Sequence, residues 1–512
     1  MTEPGAGTQI SAEVSGKSAK ASARLWTAYE AAAATGGALC ARGGDTERWF
    51  GEEWAATGIS IDTRTLAPGD LFVALQDARD GHDFVLSAYG RGASAVLVSR
   101  APVETPPDAP FLLVGDTMEG LVDLAKAARM RNFGKRIAVT GSAGKTSTKE
   151  MLALMLRGQG KTHAAVKSLN NHIGVPLTLA RLPMDADYSI YEIGMNHADE
   201  ITPLTQLVAP HVAIITTVAE AHIENLGSMA AIARAKAEIL CGVRRGGACV
   251  LPIDNPHFSI LHEEARRVGV ERIITFGEAA GADLRLTKYA SDGRRADVEA
   301  EIFGARCAFT LGAPGKHMAT NALAALGAVS AIGGDEAAAA AALAQFDAGG
   351  GRGAQLDLQL KGGVRVRVLD ESYNANPSSM RAAISILSSL SPFAGGRRIA
   401  VLGDMLELGG QAPALHAGLA EPLINARVDT VYGAGPLTAH LMAALPEKMR
   451  GAHVDAAHDL AQAVIADLKD GDIIMVKGSN SSKVAMLVEA LRAASVPESD
   501  DVAQKAQVKG PS

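Results

Sequence analysis

Glycine, lysine and hydroxyl residues gather once in a pattern suited to phosphate chemistry: Gly141-Ser142-Ala143-Gly144-Lys145-Thr146-Ser147. The β-branched run Ile137-Ala138-Val139-Thr140 precedes it, and the helical stretch Glu150-Met151-Leu152-Ala153-Leu154-Met155-Leu156 follows. A strand, a glycine loop and a helix in that order aim several backbone N–H groups and a positive helix end at an anion. Lys145 would then reach the terminal phosphates of a nucleotide and the Thr146 hydroxyl would hold Mg²⁺. The spacing is the short G-x-x-G-K-T, because Val139 stands where the first glycine of G-x-x-x-x-G-K-T belongs.

Other candidate groups fall at the ends of apolar runs. Glu192 closes 188–193 and is followed by Gly194-Met195-Asn196-His197; Thr216, Thr217, Glu220 and His222 follow 212–217. A strand-end carboxylate beside a phosphate loop can hold Mg²⁺ directly or through water. Asn170-Asn171-His172-Ile173-Gly174-Val175-Pro176 offers amides to a polar, oxygenated substrate as it enters a helix near Pro176. Nearer the start, Ser60, Thr63 and Arg64 could grip a diphosphate, with His82 in support, or could simply form a solvated strand end and turn. Lys236, within Ala235-Lys236-Ala237-Glu238, reads on its own as a solvated helix lysine.

The elements that must carry these groups read as α/β throughout. Strands at 248–251 and 273–276, with helices such as 229–240 between strands, imply βαβ units and a largely parallel sheet whose ligands lie beyond the carboxyl ends of its strands. A second such sheet follows the cluster Gly349-Gly350-Gly351-Arg352-Gly353, with strands at 364–369, 399–402, 429–432 and 473–476. Its loops are polar: Asp370-Glu371-Ser372-Tyr373-Asn374-Ala375-Asn376-Pro377, Gly403-Asp404-Met405-Leu406-Glu407-Leu408-Gly409, Gly433-Ala434-Gly435 and Lys477-Gly478-Ser479-Asn480. Four polar loops at one sheet edge suit a substrate better than solvent. Before the phosphate loop, 25–131 reads as a smaller α/β unit with a helix at 26–35 and strands at 58–64, 71–75 and 95–98.

Bulk properties narrow the class. A chain of 512 residues exceeds one core, and three domains are expected, at 25–131, 132–346 and 347–494, with disordered ends at 1–24 and 495–512. A net charge of −7 argues against general nucleic-acid binding, and no apolar run is long enough for membrane insertion. Cys40, Cys241, Cys249 and Cys307 lie far apart, as in a reduced, cytoplasmic protein without a disulfide framework or zinc site.

A phosphate-loop domain either switches or does chemistry. Flanking units whose polar residues sit in loops favour a multi-substrate enzyme over a regulatory NTPase. Here the phosphate loop, the 370–377 and 402–409 segments and the 170–176 segment resemble those of the Mur ligases, ATP-dependent amide-forming enzymes, over about 25–494. The resemblance implies a UDP-binding domain, a central ATPase domain and a C-terminal Rossmann-like domain. It implies ATP and Mg²⁺ as cofactors, UDP-N-acetylmuramoyl-tripeptide and D-alanyl-D-alanine as substrates, and a monomer. Another ligase of the superfamily, for the preceding amino acid or for folylpolyglutamate, is the alternative.

On the matching positions, Ser60, Thr63, Arg64 and His82 would belong to the UDP-sugar site. Glu192 and His222 would hold Mg²⁺ with Thr146, and Lys236 would be carbamylated and so become an anion able to support a second Mg²⁺. Asn321 and Arg352 would contact nucleotide, and Asp370 or Glu371 would reach its ribose. Asn374, Asn376, Asp404 and Lys477 would meet the peptide substrates, with Asn170 and Asn171 as further substrate contacts. Two departures stand out: the family's Gly-x-His-Asn reads Gly315-Lys316-His317-Met318, and the acidic pair is Asp370-Glu371 where Asp-Asp is also familiar; Asp254-Asn255-Pro256, in the central unit, reads as a loop.

Overall fold

The structure is a computed structural model that describes residues 24–41, 54–166 and 168–496. The disorder expected at the two ends concerns residues almost wholly outside that description. Of the expected tail, Ser495 bridges Leu360 and the Val496 N–H donates to the Gln359 carbonyl at 2.8 Å. The chain divides into two compact units, 1–124 and 125–512, with the division inside the helix Thr117–Arg131.

The first unit holds a five-stranded sheet ordered Ala38–Ala41, Pro110–Leu113, Ala95–Val98, Asp70–Val73, Gly58–Ser60, parallel except for its first strand. Its first helix, Ala28–Thr35, starts where the sequence permits a reciprocal cap. The Thr27 hydroxyl accepts from Glu30 N–H while the Glu30 carboxylate accepts from Thr27 N–H. Gly36, at φ 64°, ends the helix in the left-handed conformation that glycine adopts without cost.

The second unit carries two larger sheets. The central one has nine strands, ordered Ala305–Leu311, Ala296–Ile302, Leu284–Ser291, Arg272–Gly277, Ala248–Pro252, Val212–Ile215, Lys135–Thr140, Tyr188–Glu192, Thr162–Ala164. Its last seven strands are parallel; the first three form an antiparallel meander that sequence reading missed, because its alternating polar face lacks a buried apolar run. From Lys135–Thr140 the chain builds to one side, then crosses to the other, so strand order reverses at that strand. Such a switch point opens a crevice at the strand ends.

The alanine-rich helix Lys316–Ala331 buries nearly its whole length over this sheet. Small side chains let it approach closely; a Cβ at Gly327 would lie 3.1 Å from Leu284 Cδ1. The six-stranded sheet is ordered Ala354–Gln359, Arg365–Glu371, Ile473–Lys477, Arg398–Gly403, Thr430–Ala434, Arg450–Val454, parallel apart from its first strand.

Candidate functional site

A cavity of about 700 Å³ opens in the second unit where the carboxyl ends of both its sheets meet. The phosphate loop forms one wall. Gly141, at φ 149°, turns the chain out of its strand, and a side chain there would collide with Thr216 Oγ1. Gly144, at φ 81°, caps the helix Lys145–Arg157 without supplying a side chain, so the first helical N–H groups stay directed at the cavity. The loop is braced from behind: the Ser142 hydroxyl donates to the Ala219 carbonyl and accepts from Ala219 N–H, both at 2.9 Å, and the Thr216 hydroxyl donates to the Ala143 carbonyl at 2.5 Å.

Strand register brings the remaining groups to this wall. Glu192 pairs with Val139 in the sheet, and its Oε2 accepts from the Thr146 hydroxyl at 2.6 Å. Glu192 Oε1 accepts from Asn170 Nδ2 at 2.7 Å, and Ser168 Oγ lies 2.9 Å from Thr146 Oγ1. Arg352 reaches over from the glycine cluster, donating to Ser168 Oγ at 2.9 Å and lying 3.8 Å from the centre of the Tyr373 ring. Lys145 Nζ donates to the Gly141 carbonyl at 2.7 Å. Burial lowers the Lys145 pKa, Glu192 opposes that shift and Arg352 adds to it.

The facing wall belongs to the six-stranded sheet. Glu371 and Lys477 are register partners on adjacent strands, and their buried side chains approach to 3.3 Å; Lys477 Nζ also donates to the Asn374 carbonyl at 2.9 Å. Asn376 caps the helix Pro377–Ser389 through Ser379 N–H and uses its Nδ2 to donate to the Ser142 carbonyl at 3.2 Å, joining the two walls. His222 Nδ1 lies 2.5 Å from Glu407 Oε2, with His222 at φ 59° and Glu407 at φ 63°. Two non-glycine residues held left-handed at one contact are characteristic of a functional site under strain. His222 beside it lowers the Glu407 pKa, against burial.

Lys236 is only 2% exposed, and its side-chain ammonium has no hydrogen bond or ion pair among the described residues. Burial, then the Lys145 charge, drives its pKa well below 10.5, toward the neutral amine that carbamylation requires. That overturns the reading of a solvated helix lysine. It is not among the residues that line the cavity.

Of the residues expected at a site, the cavity gathers Ser142, Ala143, Gly144, Lys145, Thr146, Ser147, Asn170, Glu192, His222, Asn321, Arg352, Glu371, Asn374, Asn376 and Lys477. Others are committed elsewhere. Asp370 Oδ2 accepts from Gly351 N–H at 2.8 Å and Oδ1 from the Ser372 hydroxyl at 2.6 Å, so of the acidic pair only Glu371 faces the cavity. Asp404 Oδ1 accepts from Thr438 N–H at 2.9 Å, and Asn171 Oδ1 from Gly174 N–H at 2.9 Å; neither lines the cavity. Asn171 closes a local turn and Asp404 ties its loop to residue 438, partners that the sequence could not distinguish from a ligand.

In the first unit, both His82 ring nitrogens are taken. Nδ1 lies 2.7 Å from Asp80 Oδ1, and Nε2 accepts from Ser99 N–H at 3.0 Å, with the side chain 6% exposed. In this arrangement His82 ties its loop to Ser99. Ser60 Oγ donates to the Asp62 carbonyl at 3.0 Å; Thr63 is partly exposed, and the exposed Arg64 grips Asp62, whose pKa it holds at about 2.

Sequence reading missed several cavity residues: Ser168, Tyr373, Thr320, and the loop Asp254-Asn255-Pro256, which lies on the wall beside Phe276 and Met318. The Asp-Asn-Pro turn was the available signal. Asp254 accepts from Ala279 N–H at 2.9 Å and Asn255 donates to the Val218 carbonyl at 2.9 Å, which fixes the wall. Met318, 5% exposed, joins the apolar core under the Lys316–Ala331 helix, giving that part of the cavity a non-polar lining.

A glycine phosphate loop at a switch point, with a carboxylate and hydroxyls beside its lysine, defines a nucleotide-dependent α/β enzyme. Residues 139–329 match the family model of the Mur ligase middle domain, and 358–480 that of the Mur ligase glutamate ligase domain. A UDP-N-acetylmuramoyl-tripeptide–D-alanyl-D-alanine ligase of Bacillus subtilis is 35% identical over 86% of this chain and 94% of its own. A crystal structure of MurF from Acinetobacter baumannii superposes with a TM-score of 0.78 at 28% identity, covering 91% of this chain and 99% of that one. MurF of Thermotoga maritima in complex with ADP gives 0.70 at 25% identity, over 85% and 97%. The chain belongs to the Mur ligase family.

Proposed function

We propose that this chain joins D-alanyl-D-alanine to UDP-N-acetylmuramoyl-tripeptide at the expense of ATP, in cytoplasmic peptidoglycan precursor synthesis. The observation that carries the reading is one cavity in which a phosphate-loop lysine and a strand-end carboxylate face a second sheet's polar loops. A curated relative of that name, 35% identical along almost its whole length, supports the substrates.

In this reading the tripeptide carboxylate attacks the γ-phosphorus of ATP, the bond to ADP breaks, and an acyl phosphate forms. The dipeptide amine then attacks the acyl carbon, expels phosphate and loses a proton. Lys145, which donates to the Gly141 carbonyl, turns to the transferring phosphoryl group and offsets its charge. The Thr146 and Glu192 oxygens, 2.6 Å apart on the cavity wall, are hard donors of the kind Mg²⁺ takes along with phosphate and water. Bound there, Mg²⁺ would supply charge neutralisation. His222 is the third candidate ligand once released from Glu407.

Asn376 and Arg352 fasten the second sheet's loops to the phosphate-loop wall, which excludes water from an acyl phosphate that water would otherwise hydrolyse. Ser60, Thr63 and Arg64 remain the proposed contacts for the UDP moiety in the domain expected at 25–131. Among the described residues no helix is long and apolar enough to cross a membrane. The test is phosphate release with ATP, UDP-N-acetylmuramoyl-tripeptide and D-alanyl-D-alanine, each omitted in turn. The reading requires all three; release undiminished without either peptide substrate would sink it.

A further inference from the structure

One buried cation near the cavity has no part in that chemistry. Lys149 is 0% exposed, yet it lies one turn beyond Lys145 and Thr146 on the same helix. Its Nζ donates to the Ala165 carbonyl at 2.5 Å and lies 2.7 Å from Glu150 Oε1. Burying an ammonium is costly, and an apolar residue would fill the space with less penalty. Its contacts indicate what the charge does.

Ala165 follows the edge strand Thr162–Ala164 and opens the segment that carries Ser168 and Asn170. Val166, next along, is 93% exposed. The far end of the segment is fixed by Gly194 N–H donating to the Asn170 carbonyl at 2.8 Å. Its near end is held by Lys149. Residues three and four apart share a helix face, so Thr146 and Lys149 grip the segment at two points a turn apart, Thr146 at Ser168 and Lys149 at Ala165.

We propose that Lys149 is a positioning residue: by holding the Ala165 carbonyl it sets where Ser168 and Asn170 stand against Thr146 and Glu192, and so shapes the oxygen cluster offered to a magnesium–nucleotide complex. The inference rests on the nucleotide reading of this cavity and not on the identity of the peptide substrates. It is tested on the full chain by calorimetric titration of ADP with and without Mg²⁺, for the native protein and for Lys149→Met, Lys149→Arg and Ser168→Ala.

Lys149→Met should lose at least fivefold of the enhancement that Mg²⁺ gives to ADP affinity, while affinity without Mg²⁺ stays within twofold. Lys149→Arg, which keeps a cationic donor, should restore most of the enhancement. Adding Ser168→Ala to Lys149→Met should cost less than Ser168→Ala alone, since the tether is already cut. Should Lys149→Met not fold, Lys149→Gln, whose amide is too short to reach Ala165 undisturbed, takes its place with a smaller expected loss. A folded Met or Gln variant with the native Mg²⁺ enhancement overturns the proposal. Native protein that binds ADP with Mg²⁺ but turns over no peptide substrate would instead count against the function proposed above and leave this comparison readable.

Discussion

The two sheets of the second unit end their strands in similar-looking acidic loops and use them differently. In the central sheet, among the described residues, the Glu192 carboxylate accepts from the side chains of Thr146, Asn170 and Ser168. In the six-stranded sheet Asp370 and Asp404 accept from backbone N–H groups of Gly351 and Thr438. A carboxylate fed by backbone amides of a distant loop ties two loops together and cannot leave without breaking that tie. One fed by a hydroxyl and an amide can exchange those partners for a cation and phosphate. The partner's attachment, more than the acid's position at a strand end, separates a reactive group from a scaffold.

The largest effect should come from Lys145→Ala, which removes the phosphate-facing charge from the side-chain-fed sheet. Turnover should fall by about 1,000-fold or more with the melting temperature preserved, measured by ADP release and calorimetry. Lys236→Ala should follow, with a loss of about 100-fold or more that short carboxylates added to the assay partly restore. Indifference to substitution would remove the carbamate role for that buried amine.

Glu192→Gln keeps the shape but removes the charge. It should cost about 100-fold in kcat and raise the Mg²⁺ concentration needed for half-maximal rate. Its counterpart Asp370→Asn sharpens the contrast: stability should drop by about 1–3 kcal/mol in urea unfolding, with kcat within a few-fold of native. A reversal of these two outcomes would break the comparison.

The smallest effect is on pH. Burial, then Arg136, Arg244 and Lys135, lower the His211 pKa from 6.5 to about 4. Native His211 thus stays neutral while the unfolded chain takes up a proton near 6.5, so its contribution is complete above that pH and is lost as pH falls toward 4. The melting temperature should decline between pH 7 and 5, and His211→Gln should flatten that decline. An unchanged slope in the variant would assign the acid sensitivity to other groups.

Much of the site was legible beforehand because its signals are local. The G-x-x-G-K-T loop needs only adjacent residues, and the fully apolar strands around it announce a parallel sheet. The meander at 284–311 was illegible because alternation on a half-exposed strand resembles many loops. The partners of His82 were equally illegible: its residue type suits a ligand site, and only the structure sets Asp80 and Ser99 against its two nitrogens.

By itself, the sequence determined the strand–loop–helix that could receive a phosphate and the two parallel sheets, since these depend on neighbouring residues and on periodicity, and its motifs carried the resemblance to the family. Only the tertiary structure decided that Glu371 rather than Asp370 faces the cavity, that the Lys236 side chain is buried with no partner among the described residues, and that Lys149 holds a carbonyl sixteen residues away. Hydrogen-bond partners and burial are set by residues distant in the chain, and those decide whether a polar side chain is spent on the fold or left free for chemistry.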